Sequence, residues 1–227
     1  MLNATDASTG GDRYIFITGA PGSKWSVIAR AISEADEIDN SDSSVERAYG
    51  AHAKLHHFGN YFGPGMEFGA DFDSLDKLGK EDIVRELEAP FAAPHGRLLL
   101  KSHMFARHLP LLRRLFPQAN FVLVYRSDAA CVKWWVAAGG FSIAFPDYSW
   151  YGEMEALKQQ IAVDNAAILA FCESMGLRLS RYRKLDALAA ALGLTFSRDV
   201  LTPRAGEEAP AGEPLHRSAS LARLAWL

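Results

Sequence analysis

The sequence predicts an α/β fold: a three-layer molecule with a parallel β-sheet between flanking helices. Three observations carry this. Short, continuously apolar, β-rich runs recur along the chain ("YIFIT", "RLLLKS", "NFVLVY"), as in strands buried on both faces. Segments with helical apolar spacing alternate with these runs, the pattern of strand–helix–strand units. The first run also leads straight into a Gly-Ala-Pro-Gly turn, so strand and helix meet there with little loop between them.

Residues 1–13 are small, polar and Gly-rich, and disorder is expected there. Tyr14–Thr18 reads as the first strand. From Trp25 to about Glu34 a helix is expected, with Ile28, Ile32 and Ala35 on one stripe and Ala31 beside them. Residues 36–72 have no clean period. The stretch around His52–Phe68 is rich in Gly, His and aromatics and reads as an irregular, function-bearing segment. A helix near Lys80–Glu88 is ended by Pro90, and Arg97–Ser102 is a second buried strand.

"MFARHLPLLRRLF" is helical, with Pro110 near its middle dividing it into two short pieces. Asn120–Tyr125 is a third strand. The helix "DAACVKWWVAA" follows and stops at Gly139-Gly140. Met154–Met175 is a long amphipathic helix with Leu157, Ile161, Ile168, Phe171 and Met175 on its apolar face, capped by Gly176. "LRLSRY" reads as a fourth strand and "KLDALAAALGL" as a last helix. The expected organisation is one domain over residues 14–202. The tail, 203–227, reads as an unpacked linker that ends in a short apolar turn.

At 227 residues and 49% hydrophobic content, the chain is long enough to bury one real core. A net charge of −3 points away from nucleic acid as the main partner. The two cysteines, Cys131 and Cys172, have no metal-type spacing, and a disulfide framework is not expected. The polar N-terminus has no apolar signal core, and no apolar run approaches the length of a membrane span. The expectation is a cytoplasmic protein with no membrane partner.

In parallel α/β folds, ligands bind at the carboxyl ends of the strands. Three such ends are chemically loaded here. The first is "GAPGSKWS", from Gly19 to Ser26. It is close to the phosphate-binding pattern G-x-x-x-x-G-K-[ST], except that Lys24 comes one position early and no glycine precedes it. Gly19 and Gly22 allow a tight turn, the following helix offers its N-terminus, and Ser23, Lys24 and Ser26 add donors. The second end carries Lys101 and His103, the latter placed to act as a general base. The third carries Arg126, whose planar fork suits a phosphate or carboxylate. A plain Gly-Pro turn, a solvated lysine and an edge arginine would explain each end singly. Their convergence on one sheet edge favours an anion-binding site.

The combination resembles the sulfotransferases that use 3′-phosphoadenosine 5′-phosphosulfate. Their first loop reads roughly P-[KR]-[ST]-G-T-T-[WL], and Pro21, Ser23 and Ser26 match it; Gly22 stands at the family's basic position and Lys24 lies two residues on. The family's K-T-H motif is similar to Lys101-Ser102-His103. Its R-x7-S motif has Arg126 in place, with Trp134 at the serine position and Lys133 or Ser127 as the substitute. The resemblance covers roughly Tyr14 to Leu194. It implies a P-loop-like sulfotransferase architecture and a phosphosulfate donor held by Gly19, Pro21, Gly22, Ser23, Lys24, Trp25, Ser26, Arg126, Lys133 and Trp134. His103 would take the acceptor's proton, while Lys101 and Lys24 offset the charge that builds on the sulfuryl and phosphate oxygens. No metal is implied.

The acceptor would be a small molecule with a hydroxyl or amine. Phe58, Tyr61, Phe62 and Phe68 suit one that is aromatic or apolar, and Trp134, Trp135 and Trp150 are candidates for an adenine-stacking surface. Two alternatives stand beside this reading. One is a P-loop nucleotide kinase or NTPase, against which no strand ends in a magnesium-binding aspartate. The other is a nucleotide-binding homologue that has lost its chemistry, which the displaced lysine and missing serine favour.

Overall fold

A computed structural model describes residues 13–42, 61–62, 74–91, 96–142, 152–177, 179, 185–196 and 223–226. The expectations for residues 1–12, for most of the His52–Phe68 stretch with Phe58 and Phe68, for Trp150, and for the linker before residue 223 fall outside these residues, as does most of the expected fourth strand over 177–182.

The described chain is α/β. Four strands run parallel: β1 (Tyr14–Gly19), β2 (Ile38–Asp39), β3 (Arg97–Lys101) and β4 (Asn120–Tyr125). A fifth, β5 (Arg223–Trp226), pairs antiparallel with β4, giving the order β2-β3-β1-β4-β5. The helices are α1 (Trp25–Ser33), α2 (Lys80–Glu88), α3 (Leu109–Leu115), α4 (Asp128–Ala137), α5 (Met154–Ser174) and α6 (Leu185–Leu192).

The apolar runs become central strands because alternate residues feed two separate cores. Ile15 and Ile17 of β1 point to one face, with Leu99, Val122 and Val124, and meet Trp25, Ile28 and Ile32 of α1 and Leu188 and Leu192 of α6. Phe16 points to the other, with Leu98, Leu100, Phe121 and Leu123, and meets Ile83 and Leu87 of α2, Leu112 of α3 and Ile168 and Phe171 of α5. Burial on both faces is what a continuous apolar run, without polar alternation, requires. Phe16 and Phe121 stack at 5.2 Å on neighbouring strands, adding a cross-strand aromatic pair to the burial.

The helix expectations hold closely. Pro110 lies in the first turn of α3, where its missing N–H costs nothing, and a 3₁₀ segment over Met104–His108 precedes it. On α5, Leu157, Ile161, Ile168 and Phe171 are buried as expected, whereas Met175 is exposed. The last residues differ from the expected apolar turn: Arg223–Trp226 is a strand whose backbone covers the outer edge of β4. Two-residue β2 sits on the opposite edge, held by Arg97 N–H donating to the Glu37 carbonyl at 2.9 Å.

This order brings three carboxyl ends together. Gly19 of β1 is level with Val124 of β4, and Ile17 is level with Lys101 of β3, so "GAPGSK", "KSH" and Arg126 leave the sheet side by side with the loop in the middle.

Candidate functional site

The turn after β1 is tight. Ser23 N–H donates to the Ala20 carbonyl at 2.9 Å, Gly22 has φ +78°, and Lys24 has φ +72°. Lys24 is the one non-glycine with positive φ among the described residues. A left-handed lysine costs roughly 1–2 kcal/mol relative to ordinary backbone, and such strain persists only where its surroundings enforce it. Here it directs the chain into α1 with Lys24 at the N-cap, where its side chain makes no capping hydrogen bond. A helix head in this state is suited to an anion.

The glycines are required by close approach. A Cβ on Gly19 would come within 2.5 Å of Ser23 Oγ and 2.8 Å of the Val124 carbonyl oxygen. One on Gly22 would come within 2.1 Å of the Cys131 carbonyl oxygen on α4. Ser23 is therefore folded back into the concave side of the turn. It is fully buried, and its Oγ has no hydrogen-bond partner among the described residues. A buried hydroxyl left in this way costs free energy until something supplies a partner.

The two lysines do not point where their charge led us to expect. Lys24 is 4% exposed, and its Nζ lies 3.8 Å over the ring of Trp134 on α4. The left-handed turn at Lys24 puts its stem against α4, and the indole face accepts the ammonium. Lys101 is buried, with Nζ 3.2 Å from Oδ2 of buried Asp42. Burial holds its pKa down and Asp42 partly restores it. Its charge thus ties β3 to the turn after β2 instead of facing the loop.

His103 is buried beside the end of β3. Its carbonyl accepts from Thr18 Oγ1 at 3.0 Å, and Ser102 Oγ accepts from Met104 N–H at 3.0 Å, so the K-S-H triplet is fixed to β1 and to the following 3₁₀ turn. The Tyr61 hydroxyl hydrogen-bonds to His103 Nδ1. Arg126 leaves β4 half-buried. Its carbonyl accepts from Asn165 Nδ2 at 2.8 Å and from Cys131 Sγ at 3.5 Å. Pro21 and Trp25 are buried in the turn, Ser26 is half-buried at the head of α1, Trp134 is half-buried on α4, and Lys133 is exposed there.

Four residues of this neighbourhood were not anticipated. Asp42 falls in the stretch without a clean period, and nothing local marks it as the partner of Lys101. Gln160, Asp164 and Asn165 lie in the middle of an amphipathic helix and are buried. Asp164 Oδ1 accepts from Gln160 Nε2 at 2.8 Å and lies 3.5 Å from Arg107 Nε; Oδ2 has no partner among the described residues. Burial pushes its carboxyl up to about 7 against the pull of Gln160 and Arg107. Asn165 bridges the Arg126 carbonyl to Asp128 Oδ1 at 2.7 Å. A signal existed: Asp164 falls three residues after Ile161 and four before Ile168, on the apolar stripe itself. Burial also pushes the Cys131 thiol up to about 12, which keeps it from acting as a nucleophile.

No helix among the described residues is long and apolar enough to cross a membrane, and no cluster of His, Cys, Asp and Glu there is arranged to hold a metal. No family model matches the chain, and no curated protein matches its sequence.

Proposed function

We propose that the protein is a sulfotransferase that moves a sulfuryl group from 3′-phosphoadenosine 5′-phosphosulfate to a hydroxyl or amine of a small acceptor. The observation that carries this reading is the buried Ser23 hydroxyl, without a partner among the described residues and folded over Gly19 at the head of α1, where Lys24 supplies no side-chain cap. An anionic oxygen there would meet a hydroxyl donor, main-chain N–H groups and the positive end of a helix together. The residues fit the phosphosulfate end of the donor on that ground, and Arg126, one strand away, suits its second phosphate. The donor supplies the sulfuryl group. His103 is the group that would receive the acceptor's proton, and the loop N–H groups would stabilise negative charge as it develops.

A calorimetric titration with 3′-phosphoadenosine 5′-phosphate, without metal, tests this. Binding is expected, and Ser23→Ala should weaken it about ten- to a hundredfold, the worth of a hydrogen bond to a charged group. No binding by the parent, or binding only with magnesium, overturns the donor assignment. The same structure favours a second reading, nucleotide binding without transfer, because Lys24 lies on Trp134, Lys101 is paired with Asp42, and His103 is 3% exposed. Bisphosphate binding with no sulfuryl transfer to phenols, sugars, amines or water would select it.

A further inference from the structure

His103 is held by more than its own strand. Tyr61 is 4% exposed, and its ring stacks on the imidazole with centroids 5.6 Å apart and planes inclined by 21°. Its hydroxyl engages Nδ1. Behind Tyr61 lies Trp25, the first residue of α1, at 5.9 Å. The next residue, Phe62, donates its N–H to the Lys101 carbonyl at 3.0 Å, which fixes this stretch to the end of β3, two residues before His103. The imidazole therefore has its plane set by a ring face, its rotation set by a hydroxyl and its main chain set by Thr18 of β1.

We propose that Tyr61 is a positioning residue for His103: its hydroxyl claims Nδ1, locks the ring in one tautomer and makes Nε2 the nitrogen that meets the ligand. This rests on the reading of His103 as the group facing the acceptor. A neutral imidazole has one donor and one acceptor nitrogen, and the bond at one nitrogen decides the state of the other. With Nδ1–H donating to Tyr61 Oη, Nε2 carries the lone pair that a base needs. With the Tyr61 O–H donating to Nδ1, Nε2 carries a proton and the ring is a donor instead. Either sense of a buried bond biases the two tautomers by about tenfold. Without the hydroxyl that bond no longer enforces the choice.

Long-range proton–nitrogen spectra of ¹⁵N-labelled protein read this directly, with His103 identified by the signals lost in His103→Gln. One dominant tautomer is expected in the parent. A mixture is expected in Tyr61→Phe, which keeps the ring against His103 and Trp25 and deletes only the hydroxyl. The same tautomer ratio in both proteins overturns the proposal. Should Tyr61→Phe not fold, the parent spectrum decides, and comparable amounts of both tautomers overturn it. A bare Nε2 in the parent supports both the positioning role and the base. A protonated Nε2 supports the positioning role and overturns His103 as the resting base.

Discussion

Asp164 occupies a position on α5 where the helix pattern asks for an apolar side chain, and its carboxyl is fully buried. Its pKa near 7, against 3.8 for an exposed aspartate, has a consequence for stability. Between those pH values the folded protein holds the proton and the unfolded chain does not. The stabilisation is complete below about pH 4, is lost as pH rises to about 7 and stays absent above, since both states are then ionised. The effect is on the order of a few kcal/mol. Asp164→Asn keeps an oxygen for Gln160 and removes the titration. We expect its melting temperature to rise relative to the parent's between about pH 5 and pH 8; a difference that does not change with pH would show that Asp164 does not titrate there. Lys24 teaches the complementary lesson. Its charge marked it for an anion, but a positive φ decides where the stem goes, and no residue pattern announces that Trp134 waits on α4.

Between elements, the buried pair of Lys101 and Asp42 joins β3 to the chain after β2. Removing one member leaves an uncompensated charge, which typically costs about 3–5 kcal/mol. Asp42→Ala should lose stability of that order in urea unfolding. Asp42→Leu combined with Lys101→Met should recover most of it, since matched apolar replacement removes both desolvation costs. If Asp42→Ala unfolds as the parent does, the pair contributes nothing to the sheet. This contact also marks the limit of what was legible. Strands β1, β3 and β4 and helices α1, α2, α4 and α5 could be read because burial on two faces, or on one stripe, writes itself into local spacing. The pairing of Asp42 with Lys101 and of Tyr61 with His103 joins residues 59 and 42 positions apart. Such pairs depend on where the backbone returns. The three loaded strand ends were legible as a group because parallel topology alone gathers them.

Across the whole molecule, β1 lies between β3 and β4, and the sheet is closed on its far side by the last described residues. Arg223–Trp226 reads locally as a fragment of tail, since four residues carry too short a pattern to separate a strand from a turn. Its role comes from β4, whose outer edge would otherwise present unpaired backbone. Deleting residues 223–227 should lower the melting temperature and raise light scattering on heating. A truncated protein that melts and stays dispersed like the parent would show that β4 tolerates an open edge.

The stack of Lys24 on Trp134 ties the charge of the loop to a chromophore. An ammonium 3.8 Å from an indole polarises its excited state, and an anion that bound at the head of α1 and drew the ammonium away would change that. The part of the emission lost in Trp134→Phe, separated in this way from that of the other four tryptophans, would then serve as an intrinsic optical gauge of the turn.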